Sequence, residues 1–257
     1  MKFDTFKRDR IILLSSATVV AGLSWVYLFH MAATMNDLTN VHTHAAMPSR
    51  DLWSMSEFAT ALVMWSVMTL AMMLPVASPW FLAFGQVARE QNSHAAPFPK
   101  VGVFLLGYGT IWLAYNVLAA TCQGLLQRFA LLSYDAMLTS PAVASVILIV
   151  AGTYQWMPLR DACLSYCRSP FGFLLSHWRE GNRDVYLMGA WYGIYCVGCC
   201  WAIMALAFVF GVMNLLWMAL VIAFLLIERA ILTGAWLSKS AGVFLVAWGI
   251  WMIVIAP

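Results

Sequence analysis

Charge is what this sequence has least of. Asp, Glu, Lys and Arg make up 10% of its 257 residues, against about 25% in a soluble globular domain. So small a supply cannot coat a water-soluble globule, which excludes a soluble enzyme, and so apolar a chain is not a disordered one either. A net charge of +3 spread over the whole length makes no basic patch, so nucleic acid is not expected among the partners. Histidine is scarce too, at 5 residues, and no two face each other within an apolar run as bis-histidine haem requires. Gly-rich phosphate loops, Ser-His-Asp sets and paired carboxylates inside apolar runs are missing as well. With 6 cysteines in so apolar a chain, a secreted disulfide scaffold is excluded.

What is present is apolar. Hydrophobic residues reach 63%, with 13 Trp, 15 Phe and 16 Met, and the mean hydropathy is +0.81. About 20 helical residues cross a bilayer core of about 30 Å. Seven stretches qualify: 11–33, 54–80, 101–121, 140–157, 186–210, 215–232 and 238–256. Their Ala, Leu, Met and scattered Gly suit helices and lack the alternation of a membrane barrel. The fourth is the shortest and is opened by Pro141. Residues 122–139 either prolong the third span or lie in the interface, with Leu125, Leu126 and Phe129 facing lipid. Pro75 and Pro79 are expected to end or kink the second helix.

The apolar run after Lys2, Lys7, Arg8 and Arg10 is too long for a signal peptide and reads as the first span. With the N-terminus in the cytoplasm, Arg50 and Arg128 alone of the 14 basic residues fall outside, a strong positive-inside bias. The expected fold is therefore an all-α polytopic transmembrane bundle of about seven helices, N-terminus cytoplasmic and C-terminus periplasmic. It forms one domain over 1–257, with an outer loop at 34–53 and an inner loop at 158–185. The location this implies is the inner membrane of a bacterium, with the lipid bilayer as the first partner.

Five cysteines fall in two groups. Cys163 and Cys167 are one helical turn apart in the inner loop, and Cys196, Cys199 and Cys200 lie in the string CVGCCW of the fifth span. Spacings of three and four place the second group on one helix face, which Met204 extends by a turn. Soft thiolate and thioether donors suit Cu(I), and the thiols alone suit Zn(II). The plainer reading makes each cysteine a small packing residue in a membrane helix. Cys196 lies about ten residues into its span, roughly 15 Å deep at 1.5 Å per residue. A site joining both groups therefore needs residues 158–170 to dip into the bundle.

Two weaker constellations accompany the thiols. His42, His44 and Met47 sit in the outer loop, near His30, Met31 and Met35, where they form either a copper-capturing His-x-His element or an ordinary solvated loop. Met64, Met68 and Met72 make a stripe on the second span, either a ladder for Cu(I) or adaptable packing. Glu228 and Arg229 stand together near the inner end of the sixth span. There Arg229 is free to snorkel to the interface, and Glu228 pairs with a basic residue of the inner loop.

Taken together, MWSVMTLAMMLP, AGTYQWMPLRDACLSYCRSP and YGIYCVGCCWAIMALAFVFGVMN resemble a bacterial family of predicted metal-binding integral membrane proteins of unknown function. The resemblance covers roughly residues 55–235. It implies that Cys163, Cys167, Cys196, Cys199 and Cys200 are the metal ligands, and it brings Met68, Met72, Met73 and Pro75 into the same motif set. Three functions follow as expectations. The first is binding and handling of a soft metal, copper before zinc, through a membrane-embedded Cys/Met cluster. The second is a non-catalytic accessory or assembly subunit of a larger membrane complex, or a homo-oligomer. The third is a metal or thiol redox enzyme, although the sequence shows no polar group beside CVGCCW to activate a thiol. No catalytic residue is assigned.

Overall fold

A computed structural model describes residues 2–42, 54–91, 97–132, 137–169, 174, 181–230 and 235–255. In chain order the helices are α1 (Lys2–His42), α2 (Met55–Gln91), α3 (Phe98–Arg128), α4 (Pro141–Tyr154), α5 (Pro158–Arg168), α6 (Asn182–Ala205), α7 (Ala207–Phe210), α8 (Leu215–Ala230) and α9 (Ala235–Ile255). Among the described residues the extended structure is one isolated bridge, Leu132 to Leu138. The chain is thus all-helical, as the apolar runs imply.

Among the described residues five helices are long and apolar enough to cross a membrane: α1, α2, α3, α6 continued through α7, and α9. The fourth expected span, 140–157, holds one helix of 14 residues, α4, and a turn, and a second helix, α5, follows it. α4 stops at Tyr154, and the N–H groups of Gln155, Trp156 and Met157 each bond to the carbonyl three residues back. Pro158 then opens α5 at a position where its missing N–H costs nothing. The axis turns by 64° across this break. The sixth expected span, α8, has 16 described residues.

Two further expectations need correction. Of the two outcomes expected at its prolines, the second helix does not take the first: it does not end there but runs on to Gln91. Pro79 deprives the Pro75 carbonyl of its usual donor, and the Ser78 hydroxyl supplies one at 2.8 Å. The inner segment 158–185 is not simply a loop either, because its first part is α5, which buries Arg160, Cys163, Leu164 and Cys167. Beyond the third span, α3 runs on to Arg128 before the chain turns back through Ala130 at φ +56°.

α2, α3 and α6 form the centre, with α5 against α6 and α9 against α4. Close approach of α3 and α6 rests on glycine. A methyl group on Gly107 would overlap the Tyr186 carbonyl, and one on Gly189 the Phe104 carbonyl, so the two backbones touch as small residues permit in apolar bundles. Two polar pairs link helices inside this core. The Trp65 indole N–H donates to Gln123 at 2.8 Å, and the Thr69 hydroxyl donates to Asn116 at 2.8 Å. Large apolar side chains point outward along α1 and α9, among them Leu23, Val26, Phe244, Trp251 and Val254. An outward apolar surface of this extent is compatible with membrane insertion.

Candidate metal centre

The two cysteine groups meet. α5 leaves the bend after α4 and lies against α6, which brings the Cys167 thiol to 3.8 Å from that of Cys199. Cys199 and Cys200 are 3.3 Å apart, and the Cys199 thiol also donates to the Cys196 carbonyl at 3.1 Å. All are buried, and none is in a disulfide. Cys163, one turn before Cys167, faces Gly198, where an added methyl group would stand 2.9 Å from its sulfur. Gly198 is therefore what lets the α5 thiols approach the α6 thiols.

Several bonds hold α5 in this position. The Trp80 indole N–H donates to the Cys167 carbonyl at 2.8 Å, and the Tyr154 hydroxyl donates to the Gly198 carbonyl. Arg160, fully buried on α5, forms an ion pair with Glu228 of α8, whose carboxylate also accepts from Ser238 of α9. Arg168, at the end of α5, donates to the Glu228 backbone carbonyl at 2.6 Å. Glu228 thus pairs with a basic residue of the 158–185 segment, and the pairing serves to dock a helix.

Arg229 does not snorkel outward. Its guanidinium turns into the bundle and lies 3.2 Å from the Cys196 sulfur, 3.8 Å from Cys199 and 3.9 Å from Cys200. Two further bonds hold it there, to the Val76 carbonyl at 3.1 Å and the Tyr192 hydroxyl at 3.3 Å. Tyr192 is itself wedged by stacking on Trp80, with ring centres 4.2 Å apart, and on Tyr108 at 5.2 Å. The Tyr108 hydroxyl lies 3.5 Å from the Cys196 sulfur. CVGCCW therefore does have a polar neighbour, a fixed cation, contrary to the reading from sequence. A helix-end arginine next to a glutamate carries no sequence mark of which way it turns, so no local signal identifies it.

The methionines share the core without joining this bonded group. Met204 is buried on α6, and Met64, Met68, Met72 and Met73 are buried on α2, in the same apolar cluster as the thiols. His44 and Met47 lie outside the described residues, and so do the side chains of His42 and Met35. His30 is exposed on α1.

Two sulfurs each about 2.3 Å from a shared ion stand about 3.8–4.0 Å apart at tetrahedral to trigonal angles. The 3.8 Å between Cys167 and Cys199 matches that separation. Among the described residues no group of three or more His, Cys, Asp or Glu side chains is already gathered as a complete metal-binding set. Dry, soft donors beside a fixed cation are what the geometry offers, and the chemistry they suit is binding of a soft ion by thiolates.

No curated protein and no solved structure gives a significant match to the chain. A protein family described as copper chaperone, PpoB2, matches residues 62–252, which include every element of the thiol cluster and of its docking bonds. The metal-related expectation drawn from the cysteine motifs is thereby supported at the level of family and of copper. The chain belongs to the PpoB2 copper chaperone family.

Proposed function

We propose that this protein captures copper inside a bacterial inner membrane and passes it to a partner protein, using thiols from two helices as the ligands. The observation that carries the reading is the approach of Cys167 on α5 to Cys199 on α6, 3.8 Å apart in a buried setting. Cys196 and Cys200 line the same place, Cys163 borders it, and Met204, Met68 and Met72 supply thioethers in the surrounding core. Membership in a copper chaperone family supports copper as the cargo, and copper in its reduced state is the form that such soft donors favour over zinc.

The proposed topology has seven spans, with 140–157 as the fourth and α5 on its inner side, the N-terminus in the cytoplasm and the C-terminus in the periplasm. The bias of basic residues supports it. Each thiol that binds the ion loses its proton, so capture releases protons and is favoured as pH rises. Delivery requires the reverse exchange, in which a partner's donors replace these thiolates one at a time. The break between α4 and α5 is the natural place for that motion, since α5 carries two of the five thiols on a short helix of 11 residues. The outer histidines His42 and His44 are proposed as an accessory capture element.

X-ray absorption at the copper edge tests the reading on the reduced, copper-loaded protein in detergent. A shell made of sulfur supports it. A shell dominated by nitrogen or oxygen places the copper elsewhere and overturns it.

A further inference from the structure

We propose that Arg229 is the residue that makes this site choose a monovalent ion over a divalent one. The inference rests on the reading of the thiol cluster as the metal site and deepens it. Sulfur separations alone do not choose an ion, because 3.8 Å between Cys167 and Cys199 suits thiolate-bound copper and zinc alike. Charge does choose. For any given set of thiolates, the complex of a monovalent ion is one charge more negative than that of a divalent ion. A cation held beside the cluster therefore stabilises the monovalent complex relative to the divalent one, whatever the number of ligands. Put in Coulombic terms, a fixed guanidinium repels a divalent ion twice as strongly as a monovalent one at the same distance.

The structure gives Arg229 the properties this role needs. Its charge is permanent, since arginine keeps its proton in proteins. It is within 3.2–3.9 Å of three cluster sulfurs, so it borders the coordination sphere of any ion held there and does not act from a screened distance. It is tethered from the far side by the Val76 carbonyl and the Tyr192 hydroxyl, so it does not swing away when an ion arrives. Arg160, the fully buried arginine at this junction, is neutralised by Glu228. Around Arg229 the described contacts are thiols, a hydroxyl and a carbonyl, and none of these is a carboxylate. Its charge is available to the cluster.

Ag(I) and Cd(II) test this directly. They share one d-electron count, both favour thiolates and neither changes oxidation state, so the change in their affinity ratio on replacing Arg229 reports on its charge. The reduced full-length protein in lipid nanodiscs is titrated with each ion, for the wild type, Arg229→Gln, Arg229→Lys, Tyr192→Phe and the double variant Cys199→Ser/Cys200→Ser. Arg229→Gln is expected to lower the ratio of Ag(I) to Cd(II) affinity by about tenfold or more, as loss of a unit charge beside a buried ion implies. Arg229→Lys is expected to keep the ratio within about threefold of wild type, because the charge survives although the fork is lost. Tyr192→Phe, which cuts one tether, is expected to move the ratio the same way as Arg229→Gln and by less.

An unchanged ratio in Arg229→Gln overturns the inference, as does an equal loss in Arg229→Lys. Should Arg229→Gln fail to fold, an unchanged ratio in folded Tyr192→Phe overturns it instead. The double cysteine variant separates this from failure of the parent reading. Full binding of both ions by that variant, or binding of neither by the wild type, overturns the thiol site itself and this inference with it.

Discussion

The Cys167 sulfur on α5 stands 3.8 Å from the Cys199 sulfur on α6, 32 residues further along the chain. Their contact is set by a bend, a glycine and an ion pair, and the last two can be tested by substitution.

Cys167→Ser and Cys199→Ser are expected to be strongly non-additive. If both sulfurs hold one ion, either single change removes most of the tight copper binding and the double variant loses little more. A copper competition titration on the four proteins of the cycle measures this. Additive losses would mean two independent sites.

Gly198→Val is expected to lift α5 away from α6. The first added carbon alone would stand 2.9 Å from the Cys163 sulfur, and overpacking of this kind costs about 1–3 kcal/mol. Copper binding should fall while the helical circular dichroism signal is kept. Undiminished copper binding would show that α5 has no part in the site.

Glu228→Gln is expected to destabilise the protein more than removal of the whole ion pair. It leaves Arg160 buried with only the half-exposed Asp161 carboxylate, at 4.0 Å, as counter-charge; loss of a buried partner costs about 3–5 kcal/mol, whereas apolar replacement of both partners is often neutral. Arg160→Met/Glu228→Leu should therefore unfold at a higher temperature than Glu228→Gln alone in a thermal melt in detergent. The opposite order would remove the ion pair from the docking of α5.

Gly189→Leu is expected to separate α3 from α6 altogether. Even a methyl group there would overlap the Phe104 carbonyl, and no rotamer relieves a clash with backbone. The expected result is loss of the monodisperse peak in size-exclusion chromatography. A folded, copper-binding Gly189→Leu protein would contradict the packing described for α3 and α6.

Much of this was legible in the sequence, for identifiable reasons. Cys196, Cys199 and Cys200 share a face because helical spacing requires it, and the apolar runs mark the spans because a bilayer sets their length. A polar side chain in such a run needs a partner, and Asn116 has one, accepting from the Thr69 hydroxyl. The meeting of Cys167 with Cys199 was not legible, because the 64° turn after α4 and the space above Gly198 are tertiary facts. Nor was Arg229, since an arginine at a helix end reads the same whether it reaches for headgroups or for thiols. The run of α2 through Pro75 and Pro79 was hidden too, because the Ser78 hydroxyl that replaces the missing backbone donor is a local detail no hydropathy pattern records.

The central claim is that these thiols hold copper, and elemental analysis tests it most directly. The protein is purified under reducing conditions beside a Cys199→Ser/Cys200→Ser variant, and copper and zinc are measured per chain in both. The account predicts about one copper per chain in the wild type, in keeping with a single thiolate site, and its loss in a variant of unchanged helicity. Equal copper in both proteins, or none in either after loading with Cu(I), would contradict it.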